Sequence, residues 1–158
     1  MTFQFDKLTI KAQEAVAQAQ STAQANGNPE ITPLHLLDSL LAESDGVVRA
    51  LLEKVGTPVN QLTGTVKSEI DRFPKTSGGS QPGLNAELSN VLNKAAEQAT
   101  TMQDEFVSTE HLLIALANTD SAAQRLLKLN AVTEKDILDA LKTVRGSSRV
   151  TDQNPEDK

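Results

Sequence analysis

The sequence contains no cysteine, no tryptophan and no tyrosine, and its only aromatic side chains are four phenylalanines. Without cysteine the chain can form neither a disulfide framework nor a thiolate metal site. Its core must therefore be built from leucine, valine, isoleucine and alanine. A chain of 158 residues is long enough for one domain with such a core, because folding at this size buries roughly 68–70% of the surface of the unfolded chain.

Long apolar runs and clustered positive charge are also missing. No stretch approaches the roughly 20 apolar residues that a membrane span needs, and residues 1–11 lack the basic and apolar regions of a secretory signal. The net charge is −6, whereas nucleic-acid binding relies on clustered lysine and arginine. We therefore expect a cytoplasmic protein that binds neither membranes nor nucleic acids.

Motifs for nucleotide binding and catalysis are absent as well. A P-loop needs glycine followed by lysine and then serine or threonine, and none of the eight glycines precedes a lysine. The only histidines, His35 and His111, stand in separate halves of the chain, and a zinc site needs at least three ligands. No Gly-x-Ser-x-Gly elbow is present. These absences disfavour a histidine- or metal-dependent enzyme, and we expect no activity, metal or cofactor in this chain.

The sequence does contain helical periodicity, since apolar residues recur at three- and four-residue steps in eight segments. Thr32 and Pro33 predict the start of the second helix as N-cap and first helical residue. Gly56 is placed to end the third helix in the left-handed conformation, and Thr57-Pro58 repeats the start signal for the fourth. Residues 75–83 (KTSGGSQPG) then interrupt the pattern as a surface loop.

The pattern after the loop repeats the pattern before it, with a fifth helix that includes Leu84 and with Ser108 at the N-cap of the sixth. Residues 31–37 (ITPLHLL) match 107–113 (VSTEHLL) at an offset of 76, which slips to 75 after the second helix of each half. Such a duplication indicates two units that meet along an interface. We predict an all-α fold of eight helices in two pseudo-symmetric four-helix repeats. The predicted domain covers 1–146, with repeat one at 5–73, a linker at 74–83 and repeat two at 84–146, and a flexible linker follows at 147–158.

The two helix starts carry a family resemblance. Each reads Thr/Ser-x-x-His-Leu-Leu and is followed by a Leu-Leu pair, which resembles the double Clp repeat at the N-terminus of the Clp ATPases of the AAA+ class. The likeness covers residues 5–146. The opening residues 5–9 (FDKLT) and the ending 144–158 resemble in particular the ClpB-type disaggregases, in which this ending leads towards a first AAA+ module.

The resemblance implies a substrate-binding N-domain of an ATP-dependent protein disaggregase. Such a domain would capture unfolded or aggregated polypeptide in a groove between the repeats and deliver it to the central pore of a homohexamer that works with the DnaK chaperone system. ATP and Mg²⁺ would bind in AAA+ modules outside this chain, and we expect this fragment to be monomeric.

The resemblance also implies site residues at the interface between the repeats. The groove would be lined by the first and fifth helices and the turn before the sixth. Residues tied to substrate handling in the family match Thr9, Asp104 and Glu110, and its groove residues match Leu92 and His111. Some ClpB members carry an apolar residue where His111 stands, so a more polar groove is expected here, and an unperturbed histidine titrates near pH 6.5.

Each of these residues also has a purely structural interpretation. Thr9 can cap the first helix, and Glu110 can favour the helix dipole from the first turn of the sixth. Asp104 can be a solvated loop charge, Leu92 can belong to the core, and His111 can be partly packed at the start of its helix.

Two other functions stay open. One is an adaptor-docking N-domain of a ClpC- or ClpA-type unfoldase that serves a protease, which the ending of the chain disfavours. The other is a free-standing structural helical module.

Overall fold

The periodic segments form eight α-helices in the computed structural model, which describes residues 3–44, 46–76, 81–145 and 153. The all-α prediction is confirmed. A short 3-10 turn, Phe5–Lys7, precedes the first helix. Helices α1 to α8 span Ile10–Ala25, Pro33–Ala42, Val47–Val55, Val59–Asp71, Ala86–Thr101, Thr109–Asn118, Ala122–Leu129 and Glu134–Arg145.

Most helix boundaries follow the local signals in the sequence. Thr32 is the N-cap of α2 with Pro33 in the first turn, and Ser108 is the N-cap of α6. Gly56 ends α3 at a φ of 96°, a left-handed conformation that glycine adopts without steric cost.

Two predicted helix starts are wrong. Thr57 does not cap α4, because its neighbour Pro58 has a ψ of 87° outside the helical region and is itself the N-cap. Leu84 does not belong to α5, because Asn85 caps that helix by accepting a hydrogen bond from the Leu88 N–H at 2.8 Å. Leu84 is instead extended and pairs with another strand.

Two short parallel pairings, which the sequence did not predict, connect the repeats. Strand β1 (Glu30–Ile31) pairs with strand β2 (Gly83–Leu84), with Ile31 opposite Leu84. At the matching position on the other side, Leu8 pairs with Val107. Thirty-one plus 76 is 107, and 84 minus 76 is 8, so the two pairings are related by the offset of the duplication.

The two central helices, α2 and α6, are buried on nearly every side, as expected of helices that are apolar around most of their circumference. The α1 helix packs against α2, and α5 packs against α6. Across the repeat boundary, α3 contacts α8 and α4 contacts α7. The helices of each repeat thus cover those of the other, and one hydrophobic core runs through both.

Some predictions concern segments outside the described residues. The predicted flexible linker at 147–158 lies outside them apart from Gln153, as do residues 77–80 of the predicted loop. Over the ranges that are described, no helix combines the length and apolarity needed to cross a membrane.

Candidate functional site

Each histidine lies at the third position of a central helix and closes a capping box at the helix start. In repeat one, His35 Nδ1 accepts a hydrogen bond from the Thr32 backbone N–H at 2.9 Å, and Nε2 lies 2.9 Å from Asn28 Oδ1. An Nδ1 that accepts from a backbone amide carries no proton, so Nε2–H donates to Asn28. The geometry therefore selects the neutral ring.

His111 repeats this geometry in repeat two. Its Nδ1 accepts from the Ser108 N–H at 2.8 Å, and its Nε2 lies 2.7 Å from Asp104 Oδ2. The partner is here a carboxylate, where repeat one has an amide. Both rings are completely buried, so the prediction of partial packing is wrong. The reason is that each ring satisfies a backbone amide at the start of a central helix.

Burial lowers the pKa of both histidines. Desolvation lowers the pKa of His35 from its ordinary value of 6.5 to about 4, against an opposing effect of the Asp38 carboxylate. Desolvation also lowers the pKa of His111, and Glu110 is the first of the neighbouring charges that oppose the shift. Protonating either ring would break its bond with the backbone N–H, which acts in the same direction. Both rings are therefore neutral near pH 7.

Four charged or polar side chains surround His111 and form with it what we call the repeat-two cluster: Asp104, Ser108, Glu110, His111 and Arg145. Arg145, the last residue of α8, donates from Nη2 to Asp104 Oδ1, and its Nη1 lies 3.7 Å from Glu110 Oε2. The Ser108 hydroxyl donates to Glu110 Oε1 at 2.6 Å. The side chains of Arg145 and Glu110 are 9% and 10% exposed, so water screens this cluster only weakly.

Thr9 adjoins the cluster through the backbone. Its N–H donates to the Val107 carbonyl at 2.9 Å, directly before Ser108. Its hydroxyl accepts from the Ala12 N–H at 3.2 Å and so caps α1, as the structural interpretation of the sequence proposed. The fold thus brings together four of the five sequence-predicted residues.

Leu92, the fifth, is completely buried on α5 within the hydrophobic core and is not part of the cluster. Its predicted role in client contact stays a prediction. Asp104 is not a solvated loop charge, because its side chain is wholly buried against His111 and Arg145.

Sequence reasoning missed Arg145 and Ser108 as members of the site. Arg145 stands 41 residues after Asp104 in a stretch of mixed charge, and no local pattern connects the two. The packing of α8 against α6 brings the two together.

Repeat one has neutral residues where repeat two is charged. Asn28 matches Asp104, Leu34 matches Glu110, and Ile70 matches Arg145 at the offset of 75. Beside Asn28 and Leu34 lies an open cavity of about 260 Å³, which we call the repeat-one pocket. Apart from Asn28 and Leu34, its walls include Pro33, Phe73, Glu30 and Glu87.

The charges of the repeat-two cluster offset one another, although the buried Arg145 Nη1 has no hydrogen-bond partner among the described residues. Its carboxylates face an arginine and a histidine, and within the described ranges no three metal-ligating side chains come close enough to hold an ion. A neutral histidine between a backbone amide and a carboxylate has both ring nitrogens engaged. The arrangement joins the end of α8 to the loop and helix start around His111.

Comparison with known proteins gives consistent matches. Residues 7–130 match the family described as the Clp repeat (R) N-terminal domain. The chaperone protein ClpB of Rhodopirellula baltica is 45% identical over 156 residues, or 99% of this chain, and that of Mycobacterium tuberculosis is 40% identical over 149 residues, or 94%. The chain spans 18% of the length of either relative.

Solved structures match the fold at lower identity. The N-terminal domain of Hsp104 from Candida albicans superposes with a TM-score of 0.81 at 20% identity, covering 92% of this chain and 96% of that one. A complex of a ClpV N-domain with a VipB peptide gives a TM-score of 0.71 at 22% identity, covering 92% and 91%.

Proposed function

Because this chain belongs to the Clp repeat (R) N-terminal domain family, we propose that it is the substrate-binding N-domain of a ClpB-type protein disaggregase. It captures unfolded or aggregated polypeptide at the junction of its two repeats and delivers it to the pore of a hexamer. The observation that carries the proposal is the 45% identity with a ClpB chaperone over nearly the whole chain.

In this proposal the ATPase modules of the disaggregase lie outside this chain. ATP and Mg²⁺ bind to AAA+ modules of the full-length protein, the homohexamer forms through those modules, and the DnaK system is its partner in the cytoplasm. The described residues need no cofactor for the role proposed here, because capture of a client requires only a surface that recognises it.

The repeat-two cluster is the client site in this proposal. It lies where the start of α1, the start of α6 and the end of α8 meet, so groups from both repeats are within reach of one bound segment. Glu110, whose side chain is 10% exposed, offers its carboxylate to a backbone N–H or a cationic side chain of a client. Asp104 is wholly buried and positions His111 and Arg145. The likeness to a ClpV N-domain solved with a VipB peptide supports the view that this fold can accept a peptide.

Titration of the isotope-labelled domain with a permanently unfolded protein, followed by NMR, tests the proposal. We expect shifts concentrated at Thr9, Val107, Glu110 and the end of α8. Shifts spread evenly over the surface, or confined to α3 and α4, would contradict it.

Two substitutions sharpen the test. Thr9→Ala and Glu110→Gln should each weaken client binding several-fold while the fold is retained. Thr133→Ala is the matched control for Thr9→Ala. The Thr133 hydroxyl accepts from the Asp136 N–H at 3.2 Å, the same distance as in the Thr9 cap. Thr133 lies just before α8, at the opposite end of that helix from Arg145. If Thr133→Ala and Thr9→Ala weaken client binding equally, the loss of a helix cap, and not the loss of a client contact, explains the weaker binding.

A further inference from the structure

We propose that the chain beyond α8 docks on the start of α1 through Gln153, and that this contact competes with client binding at Thr9. Gln153 is the residue after α8 that the structure describes. The inference rests on the proposed function for the nature of the competitor, an unfolded polypeptide. The docking contact itself stands on its own hydrogen bonds.

Three hydrogen bonds hold Gln153 against the residues that lead into α1. The Ile10 N–H donates to the Gln153 carbonyl at 2.8 Å, close to the usual length of a backbone hydrogen bond. The side-chain amide of Gln153 donates from Nε2 to the Asp6 and Leu8 carbonyls at 3.3 and 3.4 Å. Gln153 thus engages the backbone on both sides of Thr9.

The backbone amide of Ile10 is one that the helix itself leaves without a partner. Ile10 is the first residue of α1, and the first four N–H groups of a helix have no acceptor within it. The Thr9 hydroxyl caps a different amide, that of Ala12. The Ile10 amide is bound by the Gln153 carbonyl, which comes from outside the helix.

A groove of about 470 Å³ beside this contact receives Gln153 as part of its wall. The other walls include the apolar side chains of Phe5 and Val16 and the amides of Gln13 and Gln20. The Phe5 side chain is 43% exposed, so this face of α1 is open to the rest of the chain. A half-buried, uncharged side chain such as Gln153 suits a groove of this composition.

The contact requires a hydrogen-bond donor at position 153. The Asp6 and Leu8 carbonyls can only accept, and Leu8 already accepts from Gln13 Nε2 at 3.0 Å. A glutamine amide donates two hydrogens, whereas an ionised glutamate of nearly the same shape only accepts. Gln153→Glu would set a carboxylate against two carbonyl oxygens, in a groove that the acidic Asp6 also lines, and should therefore undock the segment.

A client and Gln153 require the same edge of α1. In the proposed function a client contacts Thr9, which stands between the two residues, Leu8 and Ile10, whose backbone Gln153 engages. An extended peptide binds chiefly through its own backbone N–H and C=O groups, which are the groups that Gln153 and its side-chain amide offer here. Docking and client contact at this edge therefore exclude one another.

Release of Gln153 lengthens the tether of the domain. Arg145, the last residue of α8, bonds to Asp104, so the chain is held at both positions while Gln153 is docked. The two positions differ by eight in the sequence, and an extended residue spans at most about 3.3–3.6 Å, so release adds up to about 26–29 Å of reach. Client capture thereby gives the loaded domain a wider range for delivery.

Hydrogen exchange of the Ile10 amide, followed by NMR on the full chain, tests the docking. Gln153→Glu should raise the exchange rate about three- to tenfold, because loss of the docking bonds exposes this amide to water. Gln61→Glu is the matched control, since it adds the same charge at an exposed position on α4, and it should leave the rate unchanged. An unchanged rate in Gln153→Glu, or an equal rise in both variants, would overturn the docking.

Binding of a permanently unfolded protein to the same chains tests the competition. Docking lowers the apparent affinity by the fraction of undocked chains, so Gln153→Glu should bind about three- to tenfold more tightly than the parent chain, and Gln61→Glu no more tightly. Gln153→Ala should change the affinity in the same direction by a smaller factor, because it removes the side-chain bonds and keeps the carbonyl. Unchanged or weaker binding by both Gln153 variants would overturn the competition, and so would tighter binding by Gln153→Glu alone, which would trace the effect to charge.

This proposal and the proposed function can fail separately. If neither the parent chain nor its Gln153 variants bind unfolded protein, the proposed function is wrong and the competition with it, while faster exchange of Ile10 in Gln153→Glu still supports the docking contact. If Thr9→Ala weakens client binding but the Gln153 variants bind as the parent chain does, the client site stands and the competition is wrong.

Discussion

Repeat one and repeat two build the same backbone geometry around their histidines with opposite side-chain chemistry. Both histidines accept a backbone N–H at Nδ1, at 2.9 and 2.8 Å, and both donate from Nε2 to the loop before the helix. Repeat one completes the arrangement with an amide and apolar neighbours. Repeat two completes it with two carboxylates and Arg145.

The difference shows which part of the duplicated unit the fold requires. A buried helix start needs a group that satisfies its free amides, and a neutral histidine does so in both repeats. The surrounding charge can vary between the repeats provided that it is balanced, since an unpaired buried charge is costly. The charged version holds Arg145 beside its two carboxylates, and the repeat-one pocket lies beside the neutral version.

The largest expected change in stability comes from Arg145→Met, because this substitution leaves Asp104 and Glu110 buried without their cation. Removing one partner of a buried ion pair costs about 3–5 kcal/mol, so the free energy of unfolding should fall by about that much. Urea unfolding followed by circular dichroism measures it.

The matched control converts repeat two to the residues of repeat one. Asp104→Asn/Glu110→Leu/Arg145→Ile should be close to neutral or stabilising, because replacing a whole buried ionic group with apolar residues of similar volume often is. A triple variant less stable than Arg145→Met would show that the two repeats are not interchangeable at this place.

The second prediction concerns acid. Because the pKa of His35 is about 4 in the folded chain and its ordinary value is 6.5, the unfolded chain binds this proton first as the pH falls. Stability is therefore unaffected above about pH 7 and is lost between about pH 6.5 and 4. The shift corresponds to about 3 kcal/mol at pH 4.

His35→Gln tests this, since an amide keeps polar atoms near both ring nitrogens but does not titrate. We expect the difference in unfolding free energy between pH 7 and pH 4 to shrink by about 3 kcal/mol in this variant. His111→Gln should shift the pH dependence in the same direction, because the pKa of His111 is also lowered. An unchanged pH dependence in His35→Gln would mean that folding does not lower the pKa of His35.

Sequence patterns predicted the helices and their duplication because these depend on local signals. Apolar spacing locates α1 to α8, and caps such as Thr32 and Ser108 act within one turn of the chain. The pairing of Ile31 with Leu84 has no such signal, since two residues are too few to show alternation. It forms because the packing of the two repeats places one strand of each beside the other.

The candidate site was only partly predictable for the same reason. Family resemblance pointed to Thr9, Asp104, Glu110 and His111, and the fold brings them together. The partner Arg145 comes from the far end of α8, and its role depends on side-chain reach across a helix junction. The repeat-one pocket depends on how the starts of α2, α5 and α7 pack around Phe73, which a single sequence does not convey.

The smallest predicted effect compares the left-handed residues that end matching helices. Gly56 ends α3 at a φ of 96°, and Ala131, its counterpart at the offset of 75, lies just after α7 at a φ of 60°. An added Cβ at Gly56 meets nothing within 4 Å, so Gly56→Ala should cost only the backbone penalty of about 1 kcal/mol. Ala131→Gly should recover part of the same penalty and stabilise the chain by about 0.5 kcal/mol, the gain being reduced by the greater freedom of glycine in the unfolded chain. Thermal unfolding of the two variants and of the parent chain measures both changes in stability. A destabilised Ala131→Gly would mean that the methyl group of Ala131 contributes packing that outweighs its backbone strain.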